Sequence, residues 1–366
     1  MNNKLKKVLI ATGGTGGHIF PAYGLARHFI EKKITVEIVS DMRGLRYLEK
    51  FNDIKVTQIN TFSIFNKNLI KQFFSLFLIT YSILKSFIFL LNKKPNLVFG
   101  MGGYSSFPVC FAAKLLKIPF ILYENNLHIG KANKFLLPYT VKLFVANAEL
   151  AGIEKKHREK ICQVGNIIRK EILSFKRNFD NTKIDSKIKV LILGGSQAAK
   201  VFAEKLPKIF EESYKAGVPL KIYQQCLPEQ NTILLNFYNK INLDCEIFNF
   251  SNDIIEYFSK VNLAITRAGS SMLAELINVK IPFISVPLPS SADDHQLKNA
   301  IYYEKNRYSY LIEEKDLDKK LFKLLKSINE DRSLLSKISE KQNLYSDNLV
   351  YQIIDREINK LLNEKY

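Results

Sequence analysis

Twice in this chain a short apolar strand runs straight into glycines. The first instance is Val8-Leu9-Ile10-Ala11-Thr12 followed by Gly13-Gly14-Thr15-Gly16-Gly17-His18; the second is Val190-Leu191-Ile192-Leu193 followed by Gly194-Gly195-Ser196-Gln197. After the first, Phe20-Pro21 opens a helical pattern through Ala22, Leu25, Ala26, Phe29 and Ile30. Glycine lets the backbone turn sharply and lets a ligand approach without Cβ interference. The helix that follows points N–H groups and a positive dipole end at the loop, where phosphate or a developing anion is welcome. One such turn alone is equally well a packing device. Two of them, one in each half, imply two similar α/β domains facing each other across a cleft. At 366 residues and 47% apolar the chain is too long for one ordinary core and can fill two.

The rest of the pattern agrees. Strands are expected near Lys7–Thr12, Thr35–Ser40, Val56–Ile59, Leu97–Gly100, Phe120–Leu122, Val141–Val145 and Ile161–Val164, with helices between them. Gly165–Lys187 is polar and reads as the connection between domains. Strands then recur near Lys189–Leu193, Lys221–Gln224, Asp244–Phe248, Leu263–Ile265 and Phe283–Val286. Alternation of this kind is the mark of a parallel sheet covered on both faces. From Leu317 the chain is helical and charged, and Val350, Ile353, Ile354, Ile358 and Leu361 form a last apolar stripe able to pack on either domain.

The net charge of +19 asks for a partner, yet no helix-turn-helix, zinc finger or aromatic RNA-binding strand is present, so nucleic acid is not expected. The charge is concentrated instead. Ile54–Tyr123 has no acidic residue but holds Lys55, Lys67, Lys71, Lys85, Lys93, Lys94, Lys114 and Lys117, together with the most apolar run, Phe73–Leu91. That run has the length of a membrane span, but Thr80, Tyr81, Ser82, Lys85 and Ser86 interrupt it. Two readings stand: a core helix, or a helix packed on its sheet with an outer apolar edge resting on an anionic membrane surface. The acid-free, Phe-rich context favours the second. The scattered Cys110, Cys162, Cys226 and Cys245 read as reduced thiols, neither they nor the histidines have metal-ligand spacing, and no signal peptide is visible.

In open α/β sheets ligands sit beyond the carboxyl ends of the strands. Four further loops qualify. Met101-Gly102-Gly103-Tyr104-Ser105-Ser106 is a second glycine turn, and Tyr123-Glu124-Asn125-Asn126, with Gly130 and Asn133, is dense in amides that suit sugar hydroxyls or simply close a turn. Thr266-Arg267-Ala268-Gly269-Ser270-Ser271 opens a helix whose start, beside Arg267, suits a diphosphate. Glu275, one turn inside, reads as a ribose-hydroxyl acceptor or as a solvated helix residue. Asp293-Asp294-His295-Gln296 follows a proline-bounded strand, and its glutamine can bridge sugar hydroxyls. The chain has no GxxxxGK[ST] loop and no GxGxxG spacing, which argues against ATP hydrolysis and dinucleotide oxidoreduction. Its one Asp-x-Asp, Asp316-Leu317-Asp318, lies far from any strand end, so no metal clamp and no cofactor are expected.

Taken in order, GGTGGHIFPA (Gly13–Ala22), KPNLVFGMGGY (Lys94–Tyr104), YENN (Tyr123–Asn126), GNIIR (Gly165–Arg169), GGSQAA (Gly194–Ala199), RAGSSMLAE (Arg267–Glu275) and DDHQLKNA (Asp293–Ala300) resemble the MurG family of peptidoglycan glycosyltransferases over nearly the whole chain. The resemblance implies the GT-B fold: two Rossmann-like parallel-sheet domains facing a cleft, with the last helix crossing back to the first. It implies an acceptor- and membrane-binding domain over 1–164, a UDP-N-acetylglucosamine-binding domain over 165–345, and a returning helix over 346–366. The implied reaction is inverting transfer of N-acetylglucosamine to the C4 hydroxyl of a polyprenyl-pyrophosphoryl-N-acetylmuramyl-pentapeptide (lipid I), giving lipid II for peptidoglycan synthesis. The implied place is the cytoplasmic face of the bacterial inner membrane, as a peripheral protein, with cell-wall synthesis proteins as further candidate partners.

By the same resemblance the donor is held by Arg169, Ser196, Ser251, Arg267 and the Ser270-Ser271-Met272-Leu273-Ala274-Glu275 helix start, with Glu275 on the ribose. Gln296 and Asn126 orient the sugar, Thr15, Gly16 and Gly17 close over it, and Gly102, Gly103 and Tyr104 face the acceptor. His18 is the candidate general base or an orienter of the loop or acceptor; Glu124 is a second candidate base or an acceptor-orienting partner. The chain departs from the family pattern at Tyr123 and Asn125, where His and Gln are usual, at Ile167 for a proline and at Ala198 for a glycine. An epimerase acting on the same nucleotide sugar, and a basic surface-binding protein, are the alternative readings.

Overall fold

The computed structural model describes residues 5–49, 51, 53–59, 69–176, 187–195, 200–249, 251 and 253–363. The chain divides into two compact units, one made of Met1–Lys170 with Asp347–Tyr366 and the other of Glu171–Ser346.

In unit one the strands are β1 (Lys7–Ala11), β2 (Thr35–Ser40), β3 (Lys55–Gln58), β4 (Leu97–Gly100), β5 (Phe120–Glu124), β6 (Lys142–Val145) and β7 (Ile161–Gln163). The helices α1 (Gly16–Glu31), α2 (Met42–Leu48), α3 (Leu69–Lys93), α4 (Gly103–Leu115) and α5 (Lys131–Leu136) fall between them, and α6 (Lys170–Ser174) leads out of the unit. All pairings are parallel, in the order β3-β2-β1-β4-β5-β6-β7. Apolar residues with little alternation make these strands, because both sheet faces are covered. Leu9, Val98, Leu122 and Leu143 lie fully inside, with α4 packing Val109, Cys110, Ala112 and Ala113 against them.

Unit two repeats the scheme. Its strands are β8 (Ile188–Leu193), β9 (Leu220–Gln225), β10 (Cys245–Phe248), β11 (Leu263–Thr266), β12 (Phe283–Ser285) and β13 (Tyr310–Leu311), in the order β10-β9-β8-β11-β12-β13. Helices α7 (Lys200–Lys215), α8 (Asn231–Lys240), α9 (Ile254–Lys260), α10 (Ser270–Asn278), α11 (His295–Lys305), α12 (Leu317–Glu330) and α13 (Ser333–Asn343) surround it. Phe202, Leu206 and Phe210 of α7 and Leu317, Leu321, Leu325 and Ile328 of α12 share one buried cluster with β8 and β9.

The final helix, α14 (Val350–Asn363), belongs to unit one. His28 of α1 stacks on Tyr351 with ring centroids 4.5 Å apart and meets Asp355 at 2.9 Å. Lys32 also bonds Asp355. The Tyr351 hydroxyl donates to the Ile168 carbonyl at 2.7 Å, and Asp347 accepts from the Asn166 backbone at 2.9 Å and from its amide at 3.1 Å. These bonds carry Gly165–Lys170 into unit one, so the boundary falls after Lys170 and not at the expected residue 165.

One detail differs from the sequence expectation, and the less favoured of the two readings of α3 drops out. β13 has only two residues and no apolar run, and it exists because Tyr310 and Leu311 pair with Ile284 and Ser285. The Phe73–Leu91 run is not a core helix. Within α3, Ile79, Ser82, Ser86 and Leu90 are buried while Phe77, Tyr81, Leu84, Ile88 and Leu91 are exposed. Side-chain description begins at Ser75, so Phe73 lies outside it.

Candidate active site

In a doubly wound sheet the crevice opens where the strand order reverses, between the first strand and its neighbour on the other side. In unit one that point lies between β1 and β4, and in unit two between β8 and β11. The loops after those strands are the Gly13–Gly17 loop, the Gly102-Gly103 turn, the Gly194-Gly195 turn and the Arg267–Gly269 segment. The motifs chosen for their chemistry therefore occupy the positions the topology reserves for ligands.

In unit one the two glycine turns meet at His18. Gly102 and Gly103 both adopt positive φ, 87° and 72°. The His18 ring lies over them: a Cβ on Gly102 would stand 3.1 Å from Cε1, and one on Gly103 would stand 3.4 Å from Cδ2. Any side chain there would press on the imidazole and would need a backbone conformation that L residues rarely adopt. His18 sits in the first turn of α1, behind an exposed Thr15 in the N-cap position. Thr12 donates its hydroxyl to the His18 carbonyl at 3.0 Å.

A residue to which no site role was given in the sequence organises this loop. Asp41, just past β2, accepts from the backbone of Gly14 and Gly44 at 2.9 Å each and from the Ser105 hydroxyl at 2.9 Å. Arg43 reaches it at 3.2 Å. Burial works against its charge, but the Gly14 and Gly44 N–H groups, the Ser105 hydroxyl and Arg43 outweigh that and hold the carboxyl below its ordinary range. Ser105 comes so close that a Cβ on Gly13 would stand 2.3 Å from its hydroxyl oxygen, so no other residue fits there. An acidic residue directly after the second strand is the only mark it leaves in the sequence.

The Tyr123–Asn126 segment at the end of β5 divides its tasks. Glu124 is buried, with Oε1 accepting from the backbone and amide of Asn126 at 3.1 and 3.0 Å. Its Oε2 accepts from the Gly130 backbone at 2.9 Å and the Asn133 amide at 3.0 Å. Four donors fill the carboxylate and tie the whole 124–133 loop to it. The Tyr123 hydroxyl accepts from the Ile167 backbone at 2.9 Å, and the Asn125 amide donates to the Gly17 carbonyl at 2.8 Å. Tyr104 follows the Gly102-Gly103 turn in the first turn of α4.

In unit two the start of α10 has Gly269 at its cap and no acidic residue in its first turn. Ser270 is buried, and Ser271 and Met272 are half-buried. Leu273 and Ala274 are core, and Glu275 is 4% exposed, which removes the solvated-residue reading. Arg267 is fully engaged beneath them. It pairs with Glu314, donates to the Val286 and Pro287 carbonyls at 3.3 Å, and lies 4.9 Å from the Phe202 ring centre. Its charge is met inside the protein, so it braces the loop rather than projecting toward a ligand. Gln296 accepts from the Leu288 backbone at 3.0 Å, while Asn299 donates to the Ala268 carbonyl and ties α11 to the same loop. Asp293 and Asp294, ahead of Gln296, both hold left-handed backbone angles, φ 49° and 56°. Ser251 accepts from the Asp253 backbone at 3.1 Å. Arg169 stands in unit one, its guanidinium 5.4 Å from the Phe20 ring centre. Ser196 lies outside the described residues.

Asp316 and Asp318, the Asp-x-Asp pair, are each occupied by a lysine: Lys320 at 2.9 Å and Lys205 at 3.0 Å.

Each unit is thus a doubly wound parallel sheet with a glycine turn at its switch point, the frame in which open α/β proteins take their ligands. Residues 8–145 match the glycosyltransferase family 28 N-terminal domain and residues 189–355 match its C-terminal domain, so the chain belongs to that family. More particularly, it belongs with the UDP-N-acetylglucosamine--N-acetylmuramyl-(pentapeptide) pyrophosphoryl-undecaprenol N-acetylglucosamine transferases. It is 35% identical to the one from Pelagibacter ubique (strain HTCC1062), across 98% of this chain and 99% of that one. The transferase of that name from Rickettsia canadensis (strain McKiel) is 32% identical, across 96% of this chain and all of the relative. The crystal structure of Acinetobacter baumannii MurG shares the fold, with a TM-score of 0.78 over 99% of this chain at 24% identity.

Proposed function

We propose that this chain transfers N-acetylglucosamine from UDP-N-acetylglucosamine to the C4 hydroxyl of N-acetylmuramic acid in a polyprenyl-pyrophosphoryl-N-acetylmuramyl-pentapeptide. The observation that carries this reading is the end-to-end likeness to the Pelagibacter transferase, 35% identical over 98% of this chain and 99% of that one, which spans both units. An epimerase or a plain surface-binding protein would have no need of that likeness.

Unit one holds the acceptor and the base, and unit two holds the donor. His18 takes the proton from the acceptor hydroxyl as that oxygen attacks the anomeric carbon, a role worth roughly 10² to 10⁴-fold. Attack from the face opposite UDP inverts an α-linked donor into a β-linked product. The C–O bond to the diphosphate breaks, and UDP leaves with both electrons. The start of α10, with Ser270 and Ser271, receives the growing charge through backbone N–H groups and the helix dipole. Glu275 accepts the ribose hydroxyls, Ser251 lies beside the uracil, and Met272, Leu273 and Ala274 hold the helix in place. Gln296 and Asn126 orient the sugar, with Arg169, Ser196, Thr15, Gly16 and Gly17 completing its surroundings. Gly102, Gly103 and Tyr104 lie on the acceptor side. Glu124, with its oxygens filled by four donors, shapes the loop; His18 is the base.

The apolar edge of α3 rests on an anionic membrane at its cytoplasmic face, which brings unit one to its lipid-linked substrate. Exposed Leu115 and Phe135, with Lys114 lying 4.2 Å from the Tyr139 ring centre, extend the same chemistry to α4 and α5.

The test is transfer of labelled N-acetylglucosamine to the lipid-linked acceptor, in EDTA, by the wild-type chain and by His18→Ala. Robust transfer that falls at least about 100-fold in the variant is the expected result. A folded wild-type chain that transfers nothing overturns the reading, and isomerised donor in its place would point to an epimerase.

A further inference from the structure

A proline inside a helix deletes one backbone bond, and in α1 that deletion falls beside His18. Helical N–H groups bond to the carbonyl four residues back. Pro21 is the sixth residue of α1, and the carbonyl four back is that of Gly17. Proline has no N–H to give. The Asn125 amide donates to that same carbonyl at 2.8 Å, from a side chain that is 8% exposed. The Asn125 amide oxygen in turn accepts from Asn126 at 3.2 Å, which fixes which end of the amide faces Gly17.

We infer that Asn125 is a positioning residue, a stand-in for the helix bond that Pro21 cannot make, and that it fixes the first turn of α1 and with it the His18 ring over Gly102-Gly103. The geometry explains why donor and acceptor come from elements distant in sequence. A proline this close to the start of α1 loosens the turn that carries His18, and an amide just past strand β5, two strands away from β1, ties it down again. The catalytic part of this inference rests on His18 acting in the transfer reaction; the structural part does not.

Four variants test it: Asn125→Ala, Asn125→Asp, Asn125→Gln and Asn125→Ala combined with Pro21→Ala, the last compared with Pro21→Ala alone. Hydrogen exchange of a peptide covering 13–22 reports the turn without reference to activity. Exchange there is expected to accelerate in Asn125→Ala and Asn125→Asp, while the unfolding midpoint by calorimetry moves little. Transfer kcat falls about 10- to 100-fold with donor KM nearly unchanged, because a misplaced group costs rate more than binding. Asn125→Gln restores both readouts. Pro21→Ala returns the N–H to the Gly17 carbonyl, so adding Asn125→Ala to it costs less than about threefold, a coupling that independent sites do not show. A full loss for Asn125→Ala in the Pro21→Ala background overturns the inference. So does wild-type exchange and rate in Asn125→Asp. Accelerated exchange with intact kcat also overturns the positioning role, whereas altered exchange in a chain without transfer in the wild type condemns the functional reading and leaves the structural one standing.

Discussion

Asp41 shows how one side chain can hold a site it never enters. It caps α2 through the Gly44 backbone and binds the first glycine loop through Gly14. It also anchors Ser105 of the second glycine turn. Asp41→Ala removes a helix cap and leaves buried donors without their acceptor, so a stability loss of about 2–4 kcal/mol is expected in calorimetry. The sign of its pH dependence follows from its depressed carboxyl. The contribution is complete above the ordinary carboxylate value of about 4 and is lost as pH falls through the lower folded value. Wild-type and Asp41→Ala stabilities therefore converge only in acid, and a gap unchanged down to strongly acid pH would refute the assignment. At this scale the sequence is readable where chemistry is unusual. His18, Glu275 and the glycine turns stand out by type and place. Asp41 does not, because it acts by accepting from the Gly14 and Gly44 N–H groups and from Ser105, far along the chain, and a backbone N–H leaves no mark in a sequence.

Helix α3 shows the same limit and its remedy. Its 25 residues are apolar enough over Ser75–Lys93 for a membrane span by length and composition, and periodicity alone left its packing open. What decides is which residues face α4. The small Ser82 and Ser86 turn inward and satisfy their hydroxyls on Leu78 and Ser82 carbonyls, and the larger Phe77, Leu84 and Ile88 are turned outward. Burying a Phe or Leu contributes about 1.5–3 kcal/mol each, and each lysine near an anionic surface adds about 1 kcal/mol. Phe77→Ser with Leu84→Ser is accordingly expected to lower partitioning onto phosphatidylglycerol vesicles by about 100-fold or more without changing the unfolding midpoint. Equal flotation of variant and wild type would remove α3 from the membrane account. Short elements were harder to read. β13 has no pattern of its own, and only its pairing with β12 makes it a strand.

At the scale of the whole chain, two sheets repeat one strand order, and the alternation of strand and helix made that class legible before any side chain was placed. The boundary was less legible, since Gly165–Lys170 is polar like a linker yet is bonded to Asp347 and Tyr351. His28 helps close that contact. Burial lowers its pKa, and the hydrogen bond to Asp355 offsets only part of the effect. A histidine depressed in this way favours folding while neutral, so stability falls as pH drops below the ordinary value of about 6.5. Calorimetry from pH 8 toward pH 5 (about the range in which histidine titrates) is expected to show that decline, and His28→Gln to flatten it. An identical slope in the variant would assign the titration elsewhere.

The return of α14 to unit one has a consequence for how the molecule comes into being. Unit two is an insertion in the covalent sequence of unit one, which is complete only when residues after 346 are present. On the ribosome the first 170 residues emerge early but must wait, with the seats for Tyr351, Ile354 and Ile358 empty, until all of unit two has been synthesised. Unit two can finish its own core during that interval. The domain carrying His18 is thus begun before unit two and completed after it, and a chain released before α14 has a finished second unit attached to an unfinished first.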